Sequence, residues 1–208
     1  MISLILICVL LAGCEPQVSL FPLFSSTDDV FENQLLGEWN VQSGSEIKPD
    51  EKSGLAIFQR GTDTGSYEVT VDFGENGEKL ISACRLVRLD GYLFIDLGSP
   101  DLEPRKNATI PYPTIQSHVF GRVHLEKDKM HIDFLNDKWV SDQTKAGKLT
   151  LASVTTSSGI ALSAHTEDLR KFALEHAEDQ HAFSEVFAFN ARNSFLFRER
   201  SAEQTGSG

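Results

Sequence analysis

Folding the stretch Ser117 to Leu135 back on itself at Glu126-Lys127-Asp128-Lys129 satisfies both faces of a two-stranded ribbon at once. One face pairs Leu125 with Met130, Val123 with Ile132 and Gly121 with Phe134. The other pairs Glu126 with Lys129, His124 with His131 and Arg122 with Asp133. Apolar side chains meet apolar ones and opposite charges meet. A slip of one residue would exchange the two faces, so two independent criteria choose the same antiparallel register.

The same period of two recurs along the chain from Leu35, broken by Gly, Asp and Asn at intervals that suit an all-β sandwich or barrel. Leu36 to Gln42 sets Trp39 and Val41 on one face and Glu38 and Asn40 on the other. Gly54 to Arg60 follows. Tyr67, Val69, Val71 and Phe73 then alternate with Glu68, Thr70 and Asp72, as in a strand buried on one side, and Gly74 to Gly77 turns the chain. Lys79 to Leu89 and Tyr92 to Leu97 flank Asp90-Gly91, a tight-hairpin pair because both residues tolerate positive φ. Lys148 to Thr155 and Gly159 to Ser163 read as later strands.

At Glu167 the period changes. Leu169, Phe172, Ala173, His176 and Ala177 share one helical face, Glu167 and Asp168 suit the positive end of the helix dipole, and Thr166 is placed to cap. The spacing predicts a helix over about 166–179, with the Phe-rich stretch Phe183 to Arg198 following as an edge strand or packing segment. The fold class is mainly β: an antiparallel up-and-down β-barrel followed by one C-terminal α-helix, since closure removes the exposed edges of an all-antiparallel sheet. The domain spans residues 35–200, and 201–208 is a polar tail predicted to be disordered.

Leu36-Gly37-Glu38-Trp39 resembles the G-x-W signature in the first strand of the lipocalins and related calycins. The resemblance implies that Gly37 and Trp39 are structural residues at the closed end of a barrel, with a late basic residue, Arg192 or Arg198, packed across the indole. Apart from that resemblance, a barrel used as a carrier would hold a small apolar ligand in an interior lined by residues such as Tyr67, Val69 and Val71. That family's Thr-Asp-Tyr signature is absent from the chain.

Residues 1–14, MISLILICVLLAGC, contain an apolar run of signal-peptide length ending in small residues, too short for a spanning helix of about 20 residues. No Lys or Arg precedes it. Leu11-Ala12-Gly13-Cys14 resembles the lipobox of bacterial lipoproteins, which implies removal of residues 1–13, acylation of Cys14, palmitate among its lipids, and a place in the bacterial cell envelope at the periplasmic face of the outer membrane. Residues 14–34 then form a lipid-anchored tether, whose Leu20, Phe21, Leu23 and Phe24 either dock on the domain as a strap or touch the headgroups. The net charge of -11 disfavours nucleic acid and electrostatic docking on anionic membranes, so the acyl chains carry the anchoring.

No catalytic motif and no cofactor motif is present, and an enzyme is not expected. No metal site is expected either; His124 and His131, opposed in the hairpin, are the best candidates, with His118 further along the same face. His176 and His181 are five residues apart and miss the spacing of a helical metal pair. Cys84 has apolar neighbours and reads as a buried, inert thiol. The connection from Gly98 to Ser117, with four prolines, is long enough to be a ligand or partner loop, with Asp101, Arg105 and Tyr112 as its contact residues. Two functions remain open: a tethered carrier of a small apolar ligand, or an envelope module with a filled barrel that binds a protein or glycan. Cys14→Ser is expected to leave an unprocessed precursor without lipid, read by intact mass and acyl labelling; a variant that still matures and carries lipid would refute the lipoprotein reading.

Overall fold

The computed structural model describes residues 16–192 except 26, 29, 47, 49–52, 73–78, 100–115 and 158, with 185 and 186 described in backbone only. The signal stretch, Cys14, Phe73, the 74–77 turn, Arg198 and the 201–208 tail lie outside the described residues.

After a short paired segment, β1 (Val18–Ser19), the chain makes one turn of 3-10 helix at Asn33–Leu35 and enters a meander: β2 (Gly37–Ser43), β3 (Gly54–Arg60), β4 (Ser66–Asp72), β5 (Lys79–Leu89), β6 (Tyr92–Gly98), β7 (His118–Leu125) and β8 (Lys129–Leu135). An inserted unit follows, consisting of α1 (Asp137–Lys145), the hairpin β9 (Ser153–Thr156) and β10 (Gly159–Leu162), and α2 (Thr166–Glu175). The final strand, β11 (Phe183–Ala191), pairs with β8 on one side and β2 on the other, and β6 pairs with β7. The result is a closed, eight-stranded antiparallel barrel, β2 to β8 plus β11. The helix expected near the C-terminus is present, and the Phe-rich stretch after it supplies the closing strand of the barrel.

The hairpin register is the one read from the residues, with Gly121 opposite Phe134, Arg122 opposite Asp133, Val123 opposite Ile132, His124 opposite His131 and Leu125 opposite Met130. Gly121 is required there: a Cβ would lie 2.9 Å from the Asp133 carbonyl oxygen and 3.0 Å from Ile132. Asp90 and Gly91 both have positive φ, 44° and 90°, as the tight β5–β6 turn demands.

Two apolar cores result. Alternate residues of the barrel strands point inward, including Trp39, Ala56, Phe58, Leu86, Ile95, Met130 and Ile132. The outer faces of β5, β6 and β7 are apolar as well, through Val87, Leu89, Phe94 and Phe120, and the inserted unit covers them with Val140, Leu162, Leu169, Phe172 and Ala173. Strands buried on both faces lose simple alternation, which is why Leu86 to Leu89 and Leu93 to Leu97 read as nearly continuous apolar runs.

Three local expectations change. Strand structure at 148–155 is confined to Ser153–Thr156, because the amides of Lys148 and Leu149 donate to the Gln143 carbonyl and finish α1. The cap of α2 is His165, and the Thr166 hydroxyl donates instead to the Pro22 carbonyl at 2.8 Å. The helix α1 itself is new; Asn136 caps it by accepting from the Trp139 amide at 2.8 Å.

Arg122 ties the layers together. Its Nη2 donates to Asp133 at 2.9 Å within the hairpin, while Nη1 donates to the Ala177 carbonyl just beyond α2. Both side chains of the ion pair are only 12% exposed, so the pair is screened less than a surface one. A double-mutant cycle with Arg122→Ala and Asp133→Ala is expected to give a coupling energy of about 1 to 2 kcal/mol in denaturant unfolding. Arg122→Ala is expected to cost the more of the two, because it also orphans the Ala177 carbonyl; zero coupling would show that the pair is not a unit.

Candidate functional site

The two ends of the barrel differ. One end is sealed by the chain that enters it. Residues 30–35 cross beneath the barrel, with Val30 bridging to Leu86 and Leu35 fully buried. The Tyr67 hydroxyl donates to the Glu32 carbonyl at 3.2 Å and receives the Glu32 amide at 2.6 Å. Phe31 stacks parallel on Tyr67, ring centres 4.5 Å apart, and Arg60 lies 4.2 Å above Phe31. Burial pushes the Tyr67 phenol far above its ordinary pKa, which keeps it protonated and able to donate. Trp39 is 1% exposed in this floor, and its indole N–H donates to the Leu35 carbonyl at 2.9 Å. Arg192 follows the Ala191–Trp39 pair but is exposed; among the described residues the cations over aromatic rings are Arg60 on Phe31 and Arg85 on Phe24.

The other end is open and hollow. A cavity of about 340 Å³ occupies that half of the barrel. Its wall is built by inward residues from every side: Val41 and Phe58 from β2 and β3, Val69 and Val71 from β4, Ile95 and Leu97 from β6, Ile132 and Phe134 from β8, and Phe187 and Phe189 from β11. Among the described residues, polar side chains come at the mouth and along one wall, from Ser82, Ser99, Ser117 and His118. A hydrocarbon-lined chamber of this size lies within the range of small-molecule sites, about 300 to 1,000 Å³. Tyr67, expected in the wall with Val69 and Val71, belongs to the floor instead, because Glu32 holds its hydroxyl.

Comparison of the chain with protein-family models, with curated proteins and with solved structures finds no match. The site therefore rests on its own geometry.

Asp101, Arg105 and Tyr112 lie outside the described residues. The stems of their loop do not: Gly98, Ser99, Ser117 and His118 all sit on the cavity rim, and the Ser99 amide donates to the Ser117 carbonyl at 2.6 Å. The long connection thus leaves and returns at the mouth.

A second cleft, of about 490 Å³, lies along β4 and β5 and meets the cavity at Gly98 and His118. It is larger, and of its charged lining residues Asp63 pairs with Arg85 at 3.2 Å and Asp96 with His118 at 2.7 Å, while Glu68 is exposed. Asp96 is 1% exposed, and its other oxygen accepts the Leu23 amide at 2.5 Å. This carboxylate clamps the entering chain to the wall. Phe24 packs edge-on to His118 at 6.2 Å with Arg85 4.9 Å from its ring centre. The composition of Leu93 to Leu97 held one signal for it, a lone acid inside an apolar run, which a buried strand tolerates only with partners.

The histidine candidates do not converge. His124 and His131 oppose each other, but His124 is turned to Asp133 at 3.2 Å, an oxygen Arg122 already holds. His118 is six residues away along β7, about 20 Å. Among the described residues no group of three metal-ligating side chains forms. His176 packs on Trp139 and Phe172, ring centres 5.0 and 4.5 Å away, and His181 is exposed. Cys84 is 1% exposed, and burial first, then the nearby Asp96 charge, push its thiol pKa well up. Peptide mapping after treatment with a thiol reagent at neutral pH is expected to find Cys84 unmodified in folded protein and modified in denatured protein; labelling in the folded state would show that β4 to β6 open.

Proposed function

We propose that this chain is a membrane-anchored bacterial lipoprotein whose barrel binds a small apolar ligand in the chamber at its open end, without catalysing a reaction. The observation that carries the binding half is the hollow itself. A barrel of this size can be filled by its own side chains, as the Trp39–Tyr67 half is, and well-packed interiors leave few voids larger than a water molecule. A wall of Val, Leu, Ile and Phe around the remaining 340 Å³ suits hydrocarbon, and among the described lining residues the one ionisable side chain, His118, is held by Asp96. The anchoring half rests on Leu11 to Cys14 and places the protein in the cell envelope, at the periplasmic face of the outer membrane. The cavity supports the carrier over the envelope protein or glycan module, which presupposes a filled barrel.

The test is titration with N-phenyl-1-naphthylamine, an uncharged apolar dye whose emission rises when it leaves water. Wild type is expected to enhance its emission saturably. Val71→Trp, which projects an indole into the chamber from a half-buried position, is expected to weaken dye binding by about tenfold, or about 1.4 kcal/mol, with little change in melting temperature. No saturable enhancement with wild type, or equal affinity in a folded Val71→Trp protein, would reject the chamber as a binding site.

A further inference from the structure

The chain meets the barrel at its mouth. Pro16 lines the cavity and bridges to Asn136, and the Gln17 amide donates to the Leu135 carbonyl at 2.7 Å. Residue 16 is therefore fixed on the open rim. Cys14 is two residues upstream, at most about 7 Å of extended chain. The sealed end is much further off: a seven-residue barrel strand alone spans about 23 Å.

The surface shows the same polarity. Leu80 and Ile81, at the start of β5, are each 47% exposed, and Leu80 lines the cavity mouth. Val18 is 37% exposed and pairs with Val119, the second residue of β7. The remaining large apolar residue exposed among those described, Val154, is on β9, where the sheet continues past β1 and β10. Asp72 and Lys79, the charged pair beside Leu80, offset each other at 4.0 Å. The tips of the sealed end are the exposed, charged turns at Asp90-Gly91 and Glu126 to Lys129 and carry none of the described exposed large apolar residues, whereas the open end sets the exposed Leu80 and Ile81 on the same rim as the exposed Glu46 and Lys48 of the β2–β3 connection.

We propose that the open rim is the surface by which this protein rests on the bilayer, mouth toward the lipid, so that the chamber opens onto hydrocarbon and takes its apolar ligand from the membrane. This rests on the acylation of Cys14 proposed above. With so little chain between the lipid and Pro16, the rim is the only end of the barrel that can lie at the headgroups. The exposed Leu80, Ile81 and Val18 then gain from contact with the interface, an apolar contribution that a chain of net charge -11 does not obtain from electrostatics.

The experiment uses the full-length protein matured in a bacterial host and reconstituted in phosphatidylcholine vesicles with acyl chains brominated near the glycerol. A bimane fluorophore is placed on Leu80→Cys at the rim or on Asp128→Cys at the sealed end, with Ile81→Cys as the alternative rim position should Leu80→Cys fold poorly. The expected result is loss of most bimane emission at the rim position and none at Asp128→Cys. Equal emission at both positions, or loss only at Asp128→Cys, would overturn the proposal. Intact mass of the same sample reports acylation separately. An acylated chain without rim quenching defeats the orientation alone, an unacylated chain with rim quenching defeats the anchor alone, and an unacylated chain without it defeats both.

Discussion

Closure by the last strand is the constraint on which the rest of this molecule depends. Until β11 is in place, β2 and β8 each present an unpaired edge, and an open seven-stranded meander buries neither its interior nor its backbone groups. β11 arrives only after the inserted unit, and its first residue, Phe183, pairs with the last of β8, Leu135. The Asn136 amide then donates to the Ala182 carbonyl at 2.9 Å, so the insertion leaves and returns at one point of the rim. A unit hung from so narrow a base has one place to bury its apolar side, the outer wall beside it. That wall is β5 to β7, and its outward Val87, Phe94 and Phe120 meet α2 and the hairpin there.

How much of this could be read from the residues depended on whether one face or two was buried. β3 and β5 begin and end where the alternation and its Gly and Asp punctuation place them, and the β7–β8 register follows from charge and apolarity together. The long meander was legible for that reason. α1 was not: Asn136 to Gly147 has only Trp139 and Val140 to mark a helical face, too few to show a period, and its real signals are the Asn136 cap and the positive φ of Gly147, 65°, after its end. The position of β11 was also hidden. Phe183 to Ala191, with polar Ser184, Glu185 and Asn190 around the apolar run Val186 to Phe189, shows no clean alternation, and only the vacancy between β2 and β8, a property of the assembled sheet, shows that it closes the barrel.

The candidate site was legible in its elements and hidden in its shape. Val69 and Val71 point inward by simple alternation, and the length of the Gly98 to Ser117 connection marks that end of the barrel as the one to examine. Which half of the interior is filled depends on residues 30–35, whose composition does not distinguish a floor from a linker. Phe31 and Tyr67 stack, and Glu32 bonds Tyr67 through backbone atoms, which no side-chain pattern reports. Leu23 and Phe24 likewise look like loose apolar residues of a tether until the buried Asp96 accepts the Leu23 amide. The stretch from Pro16 to Leu36 is thus a strap, running from the open rim along the outer wall to the floor.

That path explains how a barrel can remain hollow at one end and still be stable. An empty half forfeits the dispersion contacts that close packing would give its lining. Among the described residues the outer core, with sixteen buried, matches the inner core, with fifteen. Each large aliphatic or aromatic side chain contributes about 1.5 to 3 kcal/mol on burial. Strands whose outer faces are held by α2 and the strap do not need a full interior to stay in register, since Asp96, Arg122 and Asp28 bind strap and insertion across the layers, the last to Arg170 at 2.6 Å. Filling the floor fixes β2 to β4, and covering the wall fixes β5 to β7. The chamber between them can then stay unfilled, because much of the burial that holds its walls in register lies in the floor and on the outer face.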